Sequence, residues 1–184
     1  MNLFKDFDTS QLINRTPPAN TSLQTFKELK QLKSMRIDKD FVVEKDNIIK
    51  NFEKINKKFG LNFPNKKITK LQDDSSKIIK ILKNYFNRPR PKEIAAHLGI
   101  KIKNTDLKSM KTPSYPSGHS AQSKLIANVL SDKFPQLKYH YQKEADDISD
   151  SRNIGRAHFQ SDSSFGKELG DRLYTHLKHK GYVL

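Results

Sequence analysis

The 184-residue chain contains no cysteine, which excludes disulfides, thiolate metal sites, iron–sulfur clusters and a cysteine nucleophile. Any metal would have to be held by His and carboxylate side chains. Long apolar runs are missing as well. The longest, such as Phe41-Val42-Val43 and Leu125-Ile126-Ala127, reach three residues, whereas a bilayer-spanning helix needs about 20. Tryptophan is absent, and the other aromatics are not interleaved with basic residues at the spacing of a nucleic-acid module. The N-terminal Met1-Asn2-Leu3-Phe4-Lys5-Asp6-Phe7-Asp8 carries acidic residues where a signal peptide has a basic and then an apolar stretch. The expectation is a soluble protein without a signal peptide, cytoplasmic or packaged in a particle. Acidic charge is the scarce sign overall, with 20 Asp+Glu against 35 Lys+Arg, a net charge of +15. Such an excess favours polyanionic partners. The lysines are scattered, however, with no block of five like charges, so much of the excess reads as solvated surface. Nucleic acid or an anionic surface is a secondary expectation.

What is present is helical periodicity. The length fits one domain, with residues 1–40 forming an N-terminal arm and packing helix and residues 41–184 the main body. Residues 1–21, with Pro17-Pro18, show no sustained period and read as an irregular arm. Helices are expected over 22–34 and 44–58, the latter from Ile48, Ile49, Phe52 and Ile55. Gly60, Pro64 and Asn65 mark 59–71 as a loop, and Asp73, Asp74, Ser75 or Ser76 would cap the next helix. That helix carries Ile78, Ile79, Ile81, Leu82, Tyr85 and Phe86 on one stripe and must end near Asn87, ahead of Pro89 and Pro91. A short helix over 92–98 stops at Gly99. A long loop covers 100–118, a length that in compact domains is often functional. Further helices are expected from His119 to about Lys133, over 138–153 and over 164–179. No hairpin signal or internal repeat appears, so the fold class is all-α, a helical bundle.

Three segments concentrate residues suited to phosphate and proton transfer. In the first, Lys83 and Arg90-Pro91 are separated by six residues, and Pro89 and Pro91 stiffen the chain so that an ammonium and a forked guanidinium can converge on one oxyanion. Taken alone, a Lys and an Arg there would simply complement a helix dipole. In the second, Pro116-Ser117-Gly118-His119 precedes a helical pattern. Ser117 supplies a hydroxyl, Gly118 allows close backbone approach, and the free N–H groups of the helix start face an anion. An ordinary Ser-Gly cap would look the same. In the third, Ser151-Arg152 is followed by His158 and Asp162. A neutral imidazole can attack phosphorus when a carboxylate holds its other ring N–H, although His-x3-Asp is also a common surface pair.

Together these segments resemble the signature of the type 2 phosphatidic acid phosphatase (PAP2) superfamily, which includes class A acid phosphatases and vanadium haloperoxidases: Lys-x6-Arg-Pro, Pro-Ser-Gly-His and Ser-Arg-x5-His-x3-Asp. Every fixed position is matched, by Lys83, Arg90, Pro91, Pro116, Ser117, Gly118, His119, Ser151, Arg152, His158 and Asp162. The resemblance implies a PAP2/haloperoxidase-type bundle with the pocket at one end, a PAP2-like phosphatase domain over 41–184, and phosphotransfer without a metal or other cofactor. His158 would be the nucleophile, Asp162 its orienting partner, and His119 the group that protonates the leaving oxygen and then activates water. Lys83, Arg90, Arg152, Ser117 and the Gly118 amide would hold the equatorial oxygens. The implied substrate is a phosphomonoester or pyrophosphate of a small molecule, such as a nucleotide or an isoprenoid or lipid phosphate, with vanadate as an inhibitor. The alternatives are a vanadium-dependent haloperoxidase, in which vanadate is the cofactor, and a basic nucleic-acid or membrane-surface binding protein with a vestigial site. Arg88 and Arg156, beside motif positions, read as solvated surface. Oligomeric state is left open.

Overall fold

The computed structural model describes residues 2–184, with Lys108 described by its backbone alone. The described residues form eight α-helices and no strand: α1 Leu23–Ser34, α2 Lys39–Lys45, α3 Ile48–Lys58, α4 Asn65–Phe86, α5 Pro91–His97, α6 Gly118–Lys133, α7 Lys138–Ile154 and α8 Gln160–His179. Short 3-10 turns occur at Ser10–Leu12, Lys108–Met110 and Pro135–Leu137. Among the described residues no helix is long and apolar enough to cross a membrane.

The bundle is organised around α6, which packs most extensively against α7 and α8 and also meets α3 and α4. Its buried positions lie on all sides and include Ser120, Ala121, Ser123, Leu125, Ile126, Ala127, Val129 and Leu130, as befits a central helix. Small residues set how closely α8 approaches. A Cβ on Gly166 would lie 2.6 Å from the Ser117 carbonyl oxygen, and one on Gly170 would lie 2.5 Å from that of Ala121. The α8 backbone therefore rests directly on the first turns of α6, next to the Ser117-Gly118-His119 segment. A second, smaller cluster of Leu29, Leu32, Ile94, Ala95 and Phe159 joins α1 and α5 to the chain just ahead of α8.

Four features depart from the sequence expectations. The helix expected over 44–58 is two helices, because Asn47 leaves the helical region (φ −95°, ψ 92°) and its side chain accepts the Lys50 N–H at 3.0 Å. An Asx cap has won over continuation of the helix, and Asp46 is left at the break. The helix expected to start after residue 71 starts at Asn65, behind Pro64. Ile68 and Leu71 extend its buried stripe, and Asp74 and Ser75 are buried within it rather than capping it. Asp74 instead accepts the Leu3 N–H at 3.0 Å and pairs with Lys70 and Lys77. This pins the N-terminal arm, whose Phe4 and Leu12 are buried in the main core. Helix α8 begins at Gln160 rather than 164, with Asp162 in its first turn accepting the Phe159 N–H at 2.9 Å.

The fourth departure concerns two arginines expected on the solvated surface. Arg88 is 2% exposed and buried against Asp162. Arg156, in a left-handed conformation (φ 57°), donates to the carbonyls of Leu32, Lys33, Met35 and Lys103. Three of the four are carbonyls left over at the end of α1.

Candidate active site

Helix α4 delivers Lys83 from its last turn and stops at Asn87, which adopts a left-handed conformation with φ 45°. The chain then reverses through Arg88-Pro89, so that Arg90 becomes the N-cap residue of α5, whose first residue is Pro91. Lys83 donates to the carbonyl of Pro113, and Arg90 donates through Nε to that of Thr112 at 2.9 Å. The loop over 100–118 is thereby tied to both cations. Burial, then the neighbouring Arg90 charge, pull the Lys83 ammonium down to about 7. Burial is also the main cause of the fall of Arg90 to about 10.

His158 is 4% exposed and lies just ahead of α8. Its Nδ1 is 3.3 Å from Asp162 Oδ2, and its Nε2 is 3.0 Å from Arg90 Nη1. An arginine only donates, so Nε2 carries the lone pair and Nδ1 carries the hydrogen that points at Asp162. Burial, with the nearby Arg90 charge, holds the imidazole well below its ordinary range. The ring is therefore neutral, with its basic nitrogen directed at a guanidinium.

Asp162 is fully buried, and protein groups surround its carboxylate. Oδ1 accepts from Arg88 Nη1 at 2.7 Å, while Oδ2 accepts from the Phe159 N–H, the Ser114 hydroxyl and His158. Burial pushes the group up, but the His158 hydrogen bond, the Arg88 charge and the Ser114 hydroxyl more than offset this and bring it to about 2. Behind Asp162, Arg88 continues to Glu28 (3.6 Å) and to the hydroxyls of Thr25 (3.2 Å) and Ser161 (2.8 Å). Helix α1 thus supports the site from the rear.

Ser117 is the N-cap of α6. Its Oγ accepts from the Ser120 N–H and hydroxyl at 3.3 and 2.9 Å, and the residue has no exposed surface. His119, two residues on, directs Nε2 to the Asp46 carbonyl at 3.0 Å and carboxylate at 3.1 Å. Burial lowers its affinity for a proton, partly opposed by Asp46. Arg152, near the end of α7, donates through Nη1 to the same Asp46 carboxylate at 2.9 Å, while its buried Nε has no protein partner. The His119 hydrogen bond is the main cause that brings Asp46 down to about 2.

A cavity of about 330 Å³ is lined by Lys83, Arg90, Gly118 and His158, together with Ser76, Ile79, Lys80, Asn84 and Gln122 from the helices and Ser109 and Thr112 from the loop. Of the eight residues singled out in the sequence, four face the cavity. Asp162 stands behind His158, Ser117 is spent on capping, and His119 and Arg152 meet at Asp46. Ser109 joins the two groups, since it lines the cavity and donates to Asp46 at 3.2 Å. Among the described residues no cluster of three or more His, Asp or Glu side chains could hold a metal ion.

Sequence reasoning missed Asp46, Arg88, Ser114 and Glu28. Only Arg88 carried a signal, as one of two arginines flanking Pro89. Asp46 and Glu28 arrive from elements remote in sequence, and Ser114 stands two residues ahead of Pro116 in the long loop.

The family model of the PAP2 superfamily matches residues 75–170. Over 96 residues the chain is 35% identical to a non-specific acid phosphatase of Salmonella typhi and 34% identical to a non-specific acid phosphatase of Salmonella typhimurium. Each alignment covers 52% of this chain and 38% of the relative. The matched segment runs from the middle of α4 to the middle of α8 and holds all eight residues, whereas Asp46 and Glu28 lie outside it.

Proposed function

Since the chain belongs to the PAP2 superfamily, we propose that it is a phosphatase cleaving phosphomonoester or pyrophosphate bonds of small phosphorylated molecules through a phosphohistidine at His158, without a metal or other cofactor. The observation that carries this reading is the state of His158: neutral, its Nδ1–H directed at Asp162, and its Nε2 lone pair at the edge of a cationic cavity. A nucleophile of this kind needs no further activation. A phosphoryl group entering the cavity would draw Arg90 away from Nε2 and take its donors, along with Lys83 and the Gly118 amide, onto the equatorial oxygens. Nε2 then forms a bond to phosphorus as the bond to the leaving oxygen breaks, and that oxygen takes a proton from His119. Asp162 stabilises the charge that develops on the His158 ring. In the second step His119 removes a proton from water, the water oxygen bonds to phosphorus, and the P–N bond breaks to release phosphate.

The relatives' description as non-specific acid phosphatases supports a site that reads the phosphoryl group more than the rest of the substrate. The cavity agrees with this, because beyond the motif residues its lining mixes one apolar residue, Ile79, with polar ones and Lys80. The test is hydrolysis of nitrophenyl phosphate in the presence of a chelator, with native protein and His158→Ala, with vanadate added, and with acid-labile phosphate on the protein measured after rapid quenching. Chelator-resistant, vanadate-sensitive turnover with labelled His158, lost in the variant, is expected. Folded native protein without turnover would overturn the reading. Halide oxidation with peroxide and vanadate would then point to haloperoxidase chemistry, and salt-sensitive heparin retention to a binding role.

A further inference from the structure

Asp46 occupies the break between α2 and α3, a region outside the segment shared with the PAP2 family model. Its carboxylate receives His119 Nε2 at 3.1 Å, Arg152 Nη1 at 2.9 Å and the Ser109 hydroxyl at 3.2 Å, and its own carbonyl receives His119 Nε2 at 3.0 Å. One residue thus grips, through two acceptors, the ring nitrogen of one of the two histidines in the site. It also holds the arginine expected to bind the phosphoryl group. His119 Nδ1 has no protein partner among the described residues.

We propose that Asp46 is a positioning residue that fixes the tautomer of His119, so that Nδ1 is the atom exchanging the proton with substrate, and that anchors the Arg152 fork beside it. With two acceptors on Nε2, the neutral ring keeps its hydrogen there and offers a lone pair at Nδ1. When Nδ1 is protonated, the carboxylate stabilises the imidazolium. The proton then passes from Nδ1 to the leaving oxygen as the P–O bond breaks, and Nδ1 recovers one from water in the second step. Asp46 would do for His119 what Asp162 does for His158, giving the site two histidine–carboxylate pairs. The break at Asn47 has a purpose on this account, since a continuous helix over 44–58 would place residue 46 within a regular turn.

The proposal rests on the phosphotransfer reading, but the hold of Asp46 on His119 is measurable without turnover. Nitrogen NMR of the histidine side chains, with His119 assigned by His119→Gln, gives its titration midpoint in native protein and in Asp46→Asn. The charged groups facing His119 are Asp46 and Arg152. Loss of the carboxylate leaves burial and Arg152 unopposed, so the midpoint should fall by about one pH unit or more. An unchanged midpoint overturns the proposal. In turnover, Asp46→Asn should lose about 100-fold or more on an alkyl phosphate, whose leaving oxygen needs the proton, and much less on nitrophenyl phosphate. Asp46→Glu should recover part of the loss. Equal losses on both esters, with a lowered thermal midpoint, would make Asp46 a structural residue and overturn the proposal. Tighter phosphate binding with increased kcat/KM would overturn it too, by showing Asp46 to be a competing anion. Native protein inactive on both esters would overturn the phosphotransfer reading instead, and the NMR midpoint would still decide whether Asp46 holds His119.

Discussion

Replacing Arg88 with methionine tests the support behind the site. The guanidinium side chain is 1% exposed, donates to Asp162 at 2.7 Å, lies 3.6 Å from Glu28 and stacks 4.0 Å from the centroid of Phe159. Methionine fills much of the same volume, so the cost comes mainly from two carboxylates left in a dry site. Breaking a buried pair by removing one partner costs about 3–5 kcal/mol. For a chain of this size each kcal/mol lowers the melting midpoint by about 2–4 °C, so the expected drop is about 6–20 °C. The pH dependence gives a sharper signature. Asp162 titrates at about 2 in the native fold against an ordinary value of 3.8, so its contribution to stability is complete above 3.8 and is lost as the pH falls toward about 2. Without Arg88 the folded value rises, and that contribution shrinks. The stability gap between native protein and Arg88→Met should therefore be widest above 3.8 and narrow below it. Urea denaturation at a series of pH values measures this directly. A loss under about 1 kcal/mol, typical of an exposed ion pair, with a gap independent of pH, would refute the reasoning.

Other consequences can be checked separately. Gly166→Ala and Gly170→Ala force a methyl group to within 2.6 and 2.5 Å of carbonyl oxygens on α6. Each should cost about 1–3 kcal/mol by thermal melting, and Gly166→Ala, which presses on Ser117, should also lower kcat/KM more than Gly170→Ala does. Lys83, at about 7 in the free protein, is about half charged at neutral pH, and an anion placed beside it raises its proton affinity. Binding of sulfate should therefore take up about half a proton at pH 7 and closer to one at pH 8. Calorimetry in buffers of different ionisation heat reads this uptake, and Lys83→Met should abolish it.

How far the sequence went differs between fold and site. Helices α1, α5, α6 and α7 were legible because caps and apolar periodicity are local: Ser22 and Ser117 accept from N–H groups three residues on, and Gly99, with φ 69°, follows the end of α5. The start of α4 was hidden because Asp73 to Ser76 have the composition of a cap. Only contact with the N-terminal arm shows that Asp74 is a buried anchor. The break at Asn47 was hidden for a related reason, since an Asx cap and a helix-interior Asn look alike until the surrounding packing chooses between them.

In the site, the sequence alone determined which groups could act: a histidine with a carboxylate four residues on, a second histidine at a helix start, and a lysine and arginine held at a fixed offset by prolines. Short-range stereochemistry suffices for that. The tertiary structure decided the electrostatics. It set the proton affinities of Lys83 and His158 mainly through burial, and that of Asp162 through buried partners that outweigh burial, and these depend on the whole bundle and not on neighbours in the chain alone. It also brought Glu28 and Arg88 behind one histidine and, across 73 positions of chain, Asp46 against the other. The sign of a charge is written in the sequence, but its strength depends on what surrounds it.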